Sequence, residues 1–312
     1  MLIGVFKSNQ QLINIFAVLI LTAVWVARFF FGDFNHPDFS LGYDWLNLVG
    51  GIGLITFQVF FTNRIVNEYK LLEIITHLPG FIIVTLNSVG LFEANFHQVL
   101  LANTFILLAF SQLLRLYGIT NKFGVLFNAG IAVGLASMIY FPSVIYFLFI
   151  WIVLIYMTTP VWRDFAVSLI GFVLPLVYYI TYFFVFKDLS ELVFLTEHTK
   201  IFDFSFSQLS IWNKVFLFAL ACLTLVAGFK LLVSAGKSVA RVRKILVAVL
   251  LYFIVSLTAL FLNQFDIIAT LILMIIPLSI MIANFFQHIK KTWLAEVIFL
   301  LFVLCIVLGY FS

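Results

Sequence analysis

About eleven apolar stretches, divided by short polar loops, run the length of this 312-residue chain. Sixty-four per cent of its residues are apolar and only ten per cent are charged, far outside the range of soluble domains. Surface-to-volume scaling leaves a soluble fold of this size with too much surface to hide that much apolar side chain. Lipid as the solvent removes the conflict. The runs are too long, and alternate too little, for a transmembrane barrel. The expected fold is therefore all-α: one integral membrane domain over residues 1–312, a polytopic bundle of about eleven spans.

The spans fall at 11–31, 45–62, 79–92, 99–114, 123–141, 143–158, 165–186, 215–235, 245–262, 267–286 and 294–311. Most approach the roughly twenty residues that cross hydrocarbon as a helix. The third is short and carries Pro79 at its start. It begins earlier with a kink, or it forms a re-entrant hairpin with the fourth; neither choice alters the orientation of the later spans. If the spans cross in turn, the seventeen Lys and Arg residues sort unevenly. Thirteen share one side: Lys7, Arg64, Lys70, Arg115, Lys122, Arg163, Lys230, Lys237, Arg241, Arg243, Lys244, Lys290 and Lys291. Four share the other: Arg28, Lys187, Lys200 and Lys214. The positive-inside rule then places the N-terminus in the cytoplasm and the C-terminus outside. The acids run the opposite way, with nine outside and four inside.

The net charge of +4 is no nucleic-acid signal, because the cations sit at helix ends where anionic head groups attract them. Cys222 and Cys305 lie mid-way along apolar runs and read as small buried side chains. The five histidines show no ligand spacing, so neither a metal nor a cofactor is expected. Ser234-Ala235-Gly236-Lys237-Ser238 resembles the end of a phosphate loop. Leu231 stands where that pattern needs glycine, so the segment reads as a basic helix end. Gly130 and Gly134 form a small-xxx-small pattern for close helix packing, within the chain or between subunits. The stretch 63–78 reads as an interfacial helix. It has Ile65, Tyr69 and Leu72 on one face and Arg64, Asn67, Glu68 and Lys70 on the other. The loop 187–214 alternates Phe202, Phe204 and Phe206 with polar residues, either as a strip dipping into head groups or as a short strand.

No Asp, Glu, Lys or Arg lies mid-span, which weighs against an ion-coupled carrier. Asn87, Asn103, Gln112 and Asn128 are the amides expected to hydrogen-bond between helices. Chemistry, if present, points to the first outer loop, where Asp33 and Asp38 flank His36 and Pro37. A carboxylate there can act as general base toward an acceptor hydroxyl or amide. Solvation of a short loop explains the same acids.

At this loop, His36-Pro37-Asp38-Phe39 with Tyr43 downstream resembles the type C glycosyltransferases. Asn128 through Ser137, then Tyr140-Phe141-Pro142, then Arg163 and Gly171 to Pro175 look similar to the helices after the catalytic loop in those enzymes. The likeness covers residues 10–190. It implies a GT-C-like scaffold that transfers a sugar from a polyprenyl-phosphate donor to an outer-face acceptor. Asp38, or failing that Asp33, would be the base. Arg28 or Lys187 would meet the lipid phosphate, and His36 and Tyr43 would line the substrate side. Size and layout are also similar to an uncharacterised family of multi-pass inner-membrane proteins in Bacteroidota, which implies a place in a bacterial inner membrane and no particular activity.

Two functions are expected. One is that glycosyltransferase. The other is a non-catalytic subunit of a larger membrane complex for secretion, translocation or envelope biogenesis. The expected partners are membrane lipids, the polyprenyl-phosphate-linked sugar and other membrane proteins, with no nucleic acid.

Overall fold

A computed structural model describes residues 12–31, 41–88, 98–119, 121–186, 211–262 and 267–289, with isolated positions 293, 296, 297 and 300. Every regular element among them is helical, and no strand occurs among the described residues. Ten of the eleven expected stretches contain a helix; most of the eleventh, 294–311, lies outside the described residues, as does the Phe-rich part of the loop 187–214.

The helices group into two compact units. The first contains α1 (Leu12–Phe31), α2 (Leu41–Glu68), α3 (Leu78–Asn87), α8 (Ile211–Lys237) and the part of α10 (Ile267–His288) from Ile275 onward. The second contains α4 (Gln98–Leu114), α5 (Phe123–Ile139), a 3-10 turn at Phe141–Val144, α6 (Ile145–Met157), α7 (Trp162–Phe186), α9 (Ala240–Leu262) and α10 through Met274.

Among the described residues, five helices are long and apolar enough to cross a membrane: Asn47–Glu68, Trp162–Phe186, Ile211–Lys237, Ala240–Ala259 and Ala269–His288. That makes the chain a helical membrane protein. Four further apolar helices are only 10–17 residues long, short of the roughly twenty a crossing needs. The described helices therefore do not support a count of about eleven full crossings. α3 shows why. At 1.5 Å per residue its ten residues reach about 15 Å, half the hydrocarbon thickness. Nine of those ten are buried by protein. It is a short core helix rather than a lipid-facing span.

The second unit is built on glycine. α5 and α7 approach backbone to backbone at Gly130, Gly134 and Gly171. A Cβ on Gly130 would strike the Ser168 carbonyl oxygen, and one on Gly171 the Phe127 carbonyl oxygen. One on Gly134 would lie 2.6 Å from the Phe172 carbonyl oxygen. In lipid no hydrophobic force drives apolar helices together, so close van der Waals approach is what the small residues make available. The small-xxx-small pattern is thus used within the chain.

In the same unit, α4, α6 and α9 share an aromatic core of Phe110, Phe149, Tyr146 and Tyr252, with ring centroids 5.3–6.3 Å apart. Its polar tips are satisfied. Tyr146 donates to Ser256 Oγ at 2.8 Å and Tyr252 to Asn103 Oδ1 at 3.4 Å. Asn103 in turn donates to the Ile272 carbonyl at 2.8 Å. In the first unit, Trp25 on α1 donates to the Asn87 carbonyl of α3 at 3.2 Å.

Apolar surface remains outside. α7 beyond Pro175 and most of α8 expose large side chains, among them Tyr178, Phe184, Phe186, Phe218 and Leu225. α10 is buried along most of its described length. Cys222 is exposed on α8, contrary to its expected burial: an apolar run does not reveal which face of its helix meets lipid. Cys305 lies outside the described residues. Asn128 is likewise exposed on α5.

Candidate functional site

The outer-loop residues Asp33, His36 and Asp38, and Lys187, lie outside the described residues. Arg28 falls in the last turn of α1 and Tyr43 in the first turn of α2, so these two bracket the loop 32–40. The described polar side chains instead assemble at the ends of the two units.

In the first unit the centre is a strap, residues 69–77, between α2 and α3. The stretch expected to be an interfacial helix is not one. α2 runs on through Glu68 and ends in a Schellman turn. Lys70 N–H bonds the Asn67 carbonyl at 3.3 Å and Leu71 N–H the Val66 carbonyl at 3.0 Å. Lys70 takes the left-handed position, with φ +50°, that glycine ordinarily fills. Leu71 and Val66, both buried, occupy the two positions whose apolar contact ordinarily accompanies such a turn. Ile65 and Leu72 are buried in protein instead of lying on a membrane surface. The strap then exposes Glu73, Ile74 and Ile75 before turning inward at Thr76 and His77.

Two asparagines of α2 anchor its return. Asn67 Oδ1 accepts from Thr76 N–H at 3.3 Å, and Asn63 Oδ1 from Gly80 N–H at 2.8 Å. The second bond caps α3 from a neighbouring helix, since His77 at the N-cap position offers no side-chain bond and the first-turn N–H groups need an acceptor. Gly80 is required: a Cβ there would strike Asn63 Nδ2 and lie 2.8 Å from Val59 Cγ1.

The outer side of the strap is held by the end of α10. The Gln287 side-chain oxygen, oriented toward the strap, accepts from Glu73 N–H at 3.0 Å and Ile74 N–H at 2.7 Å. His288 Nε2 lies 3.5 Å from Glu73 Oε1 and 3.1 Å from Ser234 Oγ of α8. Its Nδ1 donates to the Asn284 carbonyl at 2.9 Å. A serine against an oriented histidine is the start of a nucleophile–base pair. Ser234 sits inside α8, however, where the backbone N–H groups are spent on the helix and do not serve as oxyanion donors. The arrangement is a clamp on the strap.

In the second unit two lysines hold the end of α6. Lys122 donates to the Thr159 carbonyl and Lys244 to the Met157 carbonyl, both at 3.0 Å. Cations are favourable at a helix C-terminus, where carbonyls lack helical donors. Lys244 also lies 5.4 Å from the centre of the Tyr117 ring. Asp164, which is buried, accepts from Val161 N–H at 3.0 Å. This is the reach-back bond of a capping box, and it sits 3.7 Å from Lys122 Nζ. The loops 115–122 and 158–161 and the start of α9 thus share one end, with Arg115, Arg163 and Arg243 exposed nearby.

Sequence reasoning missed Asn63, Asn284 and Asp164 as buried groups. Asp164 carried a signal, lying three residues after Val161 at the start of a helix. Asn63 and Asn284 carried none, because their partners are tertiary.

No characterised protein and no solved structure matches the chain. Over residues 1–312 it matches the sequence profile of DUF6427, a family of unknown function, and it belongs to that family.

Proposed function

We propose that this is a multi-pass protein of a bacterial inner membrane that serves as a non-catalytic subunit of a larger membrane complex for secretion, translocation or envelope biogenesis. The observation that carries the reading is where its polar groups are used. Trp25, Asn103, Tyr146, Tyr252, Ser256 and Lys244 all bond within the bundle. What α7 and α8 turn outward is apolar and aromatic. Such faces suit lipid or the helices of another membrane protein.

Photo-crosslinking residues placed at Tyr178, Phe184, Phe218 and Leu225 test this. The expected result is an adduct to a defined membrane protein at one helix or both, recovered with it in mild detergent. Lipid adducts alone at all four positions, with a lone monomer on purification, would overturn it.

The second reading is a lipid-linked-sugar glycosyltransferase with Asp38 or Asp33 as base. It draws on Arg28 and Tyr43 standing at the two helix ends that bracket the acidic loop. Here one of Asp33→Ala and Asp38→Ala abolishes glycan transfer while the protein stays folded. Normal transfer in both variants removes this reading.

A further inference from the structure

We infer that the basic end of the second unit is a binding surface for anionic phospholipid, with Arg115, Arg163 and Arg243 on its phosphates. All six Lys and Arg residues among the described residues of this unit lie at that end: Arg115 after α4, Lys122 before α5, Arg163 in the first turn of α7, and Arg241, Arg243 and Lys244 at the start of α9. Asp164 is the one acid among the same residues. It is buried, and it is committed to Val161 N–H and Lys122.

These segments are tied together. Lys122 reaches the Thr159 carbonyl, and Lys244 reaches both the Met157 carbonyl and the face of Tyr117. The turn after α4, the loop before α7 and the start of α9 therefore share one small area. Its cations divide by role. Lys122 and Lys244 are part-buried and hold carbonyls at the end of α6. Arg115, Arg163 and Arg243 are exposed, and none of the three has an acidic partner among the described residues.

Charge left uncompensated selects an anion, and its depth selects which one. α7 is long and apolar enough to cross a membrane from Trp162, and α9 from Ala240. Cations in the first turn of such helices stand in the head-group layer, where anionic lipid attracts them. Val161, Trp162 and Phe123 are exposed beside them, which suits contact with lipid and not with a nucleic acid. A guanidinium fork matches two phosphate oxygens at once and keeps its charge at any working pH. The Arg163 guanidinium lies 5.9 Å from the centre of the Trp162 ring, and indole rings ordinarily sit at head-group depth.

The test places the full-length chain in nanodiscs of phosphatidylcholine, or of an equal mixture with phosphatidylglycerol carrying the same acyl chains. Phenylglyoxal, which modifies accessible arginine, is the footprint. Phosphatidylglycerol should slow modification of Arg115, Arg163 and Arg243 by about fivefold or more, the scale of one cation on an anionic surface. Arg64 on α2, exposed but 3.7 Å from Glu68, should slow less. Inorganic phosphate added to phosphatidylcholine discs should not reproduce the effect. In native mass spectrometry of protein released from the mixed discs, the wild type should retain phosphatidylglycerol over phosphatidylcholine. The combined variant Arg115→Gln/Arg163→Gln/Arg243→Gln should lose that preference. Equal modification in the two discs, which would leave an acidic protein as the partner, overturns the site. So does slowing of Arg64 to the same degree, protection by inorganic phosphate alone, or an undiminished preference in the folded variant. The footprint is taken on the unaltered chain, so a variant that fails to fold leaves the deciding measurement in place.

Discussion

Single residues in this bundle have opposite consequences depending on what faces them. Gly130 backs onto the Ser168 carbonyl, whereas Gly53 has nothing within 4 Å of where a Cβ would stand. Gly130→Ala is therefore expected to destabilise by about 1–3 kcal/mol or more through overpacking. Gly53→Ala should stabilise by about 0.5–1 kcal/mol, since only the entropic cost of helical glycine is removed. Thermal midpoints in one detergent compare the two, and equal shifts would contradict the packing described. His77 gives a pH effect of definite sign. Burial lowers its pKa from the usual 6.5, so above pH 6.5 folded and unfolded states are both neutral there and nothing is lost. Below that, the unfolded chain takes up the proton first, and stability falls as pH drops. The wild-type chain should lose stability between pH 7 and 5 relative to His77→Leu; parallel pH profiles would refute the assignment.

At the scale of elements, the strap is an irregular segment made definite by its ends. Lys70 carries the cost of a left-handed residue with a side chain, so Lys70→Gly should raise stability by about 0.5–1 kcal/mol. Asn63→Leu removes the acceptor for Gly80 N–H and should cost about 1–3 kcal/mol. Its effect should concentrate in α3 and the strap, as faster amide hydrogen exchange over 69–81. Uniform exchange across α2 and α3 would show that the cap does not organise α3. The helices themselves were readable from their apolar lengths. Their ends were not: α2 overran its apolar stretch by six residues, to Glu68, because a Schellman turn and buried Ile65 and Val66 extend it where composition turns polar.

For the whole molecule, the uneven sorting of Lys and Arg carries the proposed orientation. The basic loops of the second unit meet at one end through the two bonds from Lys122 and Lys244 to the end of α6. In a background lacking Cys222 and Cys305, Arg163→Cys and Lys237→Cys should react with an impermeant maleimide only after the cells are opened, and Lys200→Cys in intact spheroplasts. The reverse pattern would invert the proposed topology. Of the candidate site, only Arg28 and Tyr43 could be placed, and only on their helices. The approach of Gln287 and His288 to the strap at Glu73 was invisible beforehand, since it joins segments more than 150 residues apart along the chain.

Composition and the lengths of the apolar runs determined by themselves that this chain is helical and lives in lipid, because no other solvent accepts so much apolar surface and backbone groups in lipid must bond within helices. The glycine spacing within α5 likewise announced a close contact. Only the tertiary structure decided that this contact lies inside the chain, that α3 is core, that Cys222 and Asn128 face outward, and that Thr62, Thr76 and His77 are buried. Periodicity along a chain records which residues share a helix face. Which face meets lipid, and which meets another helix, is set by packing between segments that sequence distance does not encode.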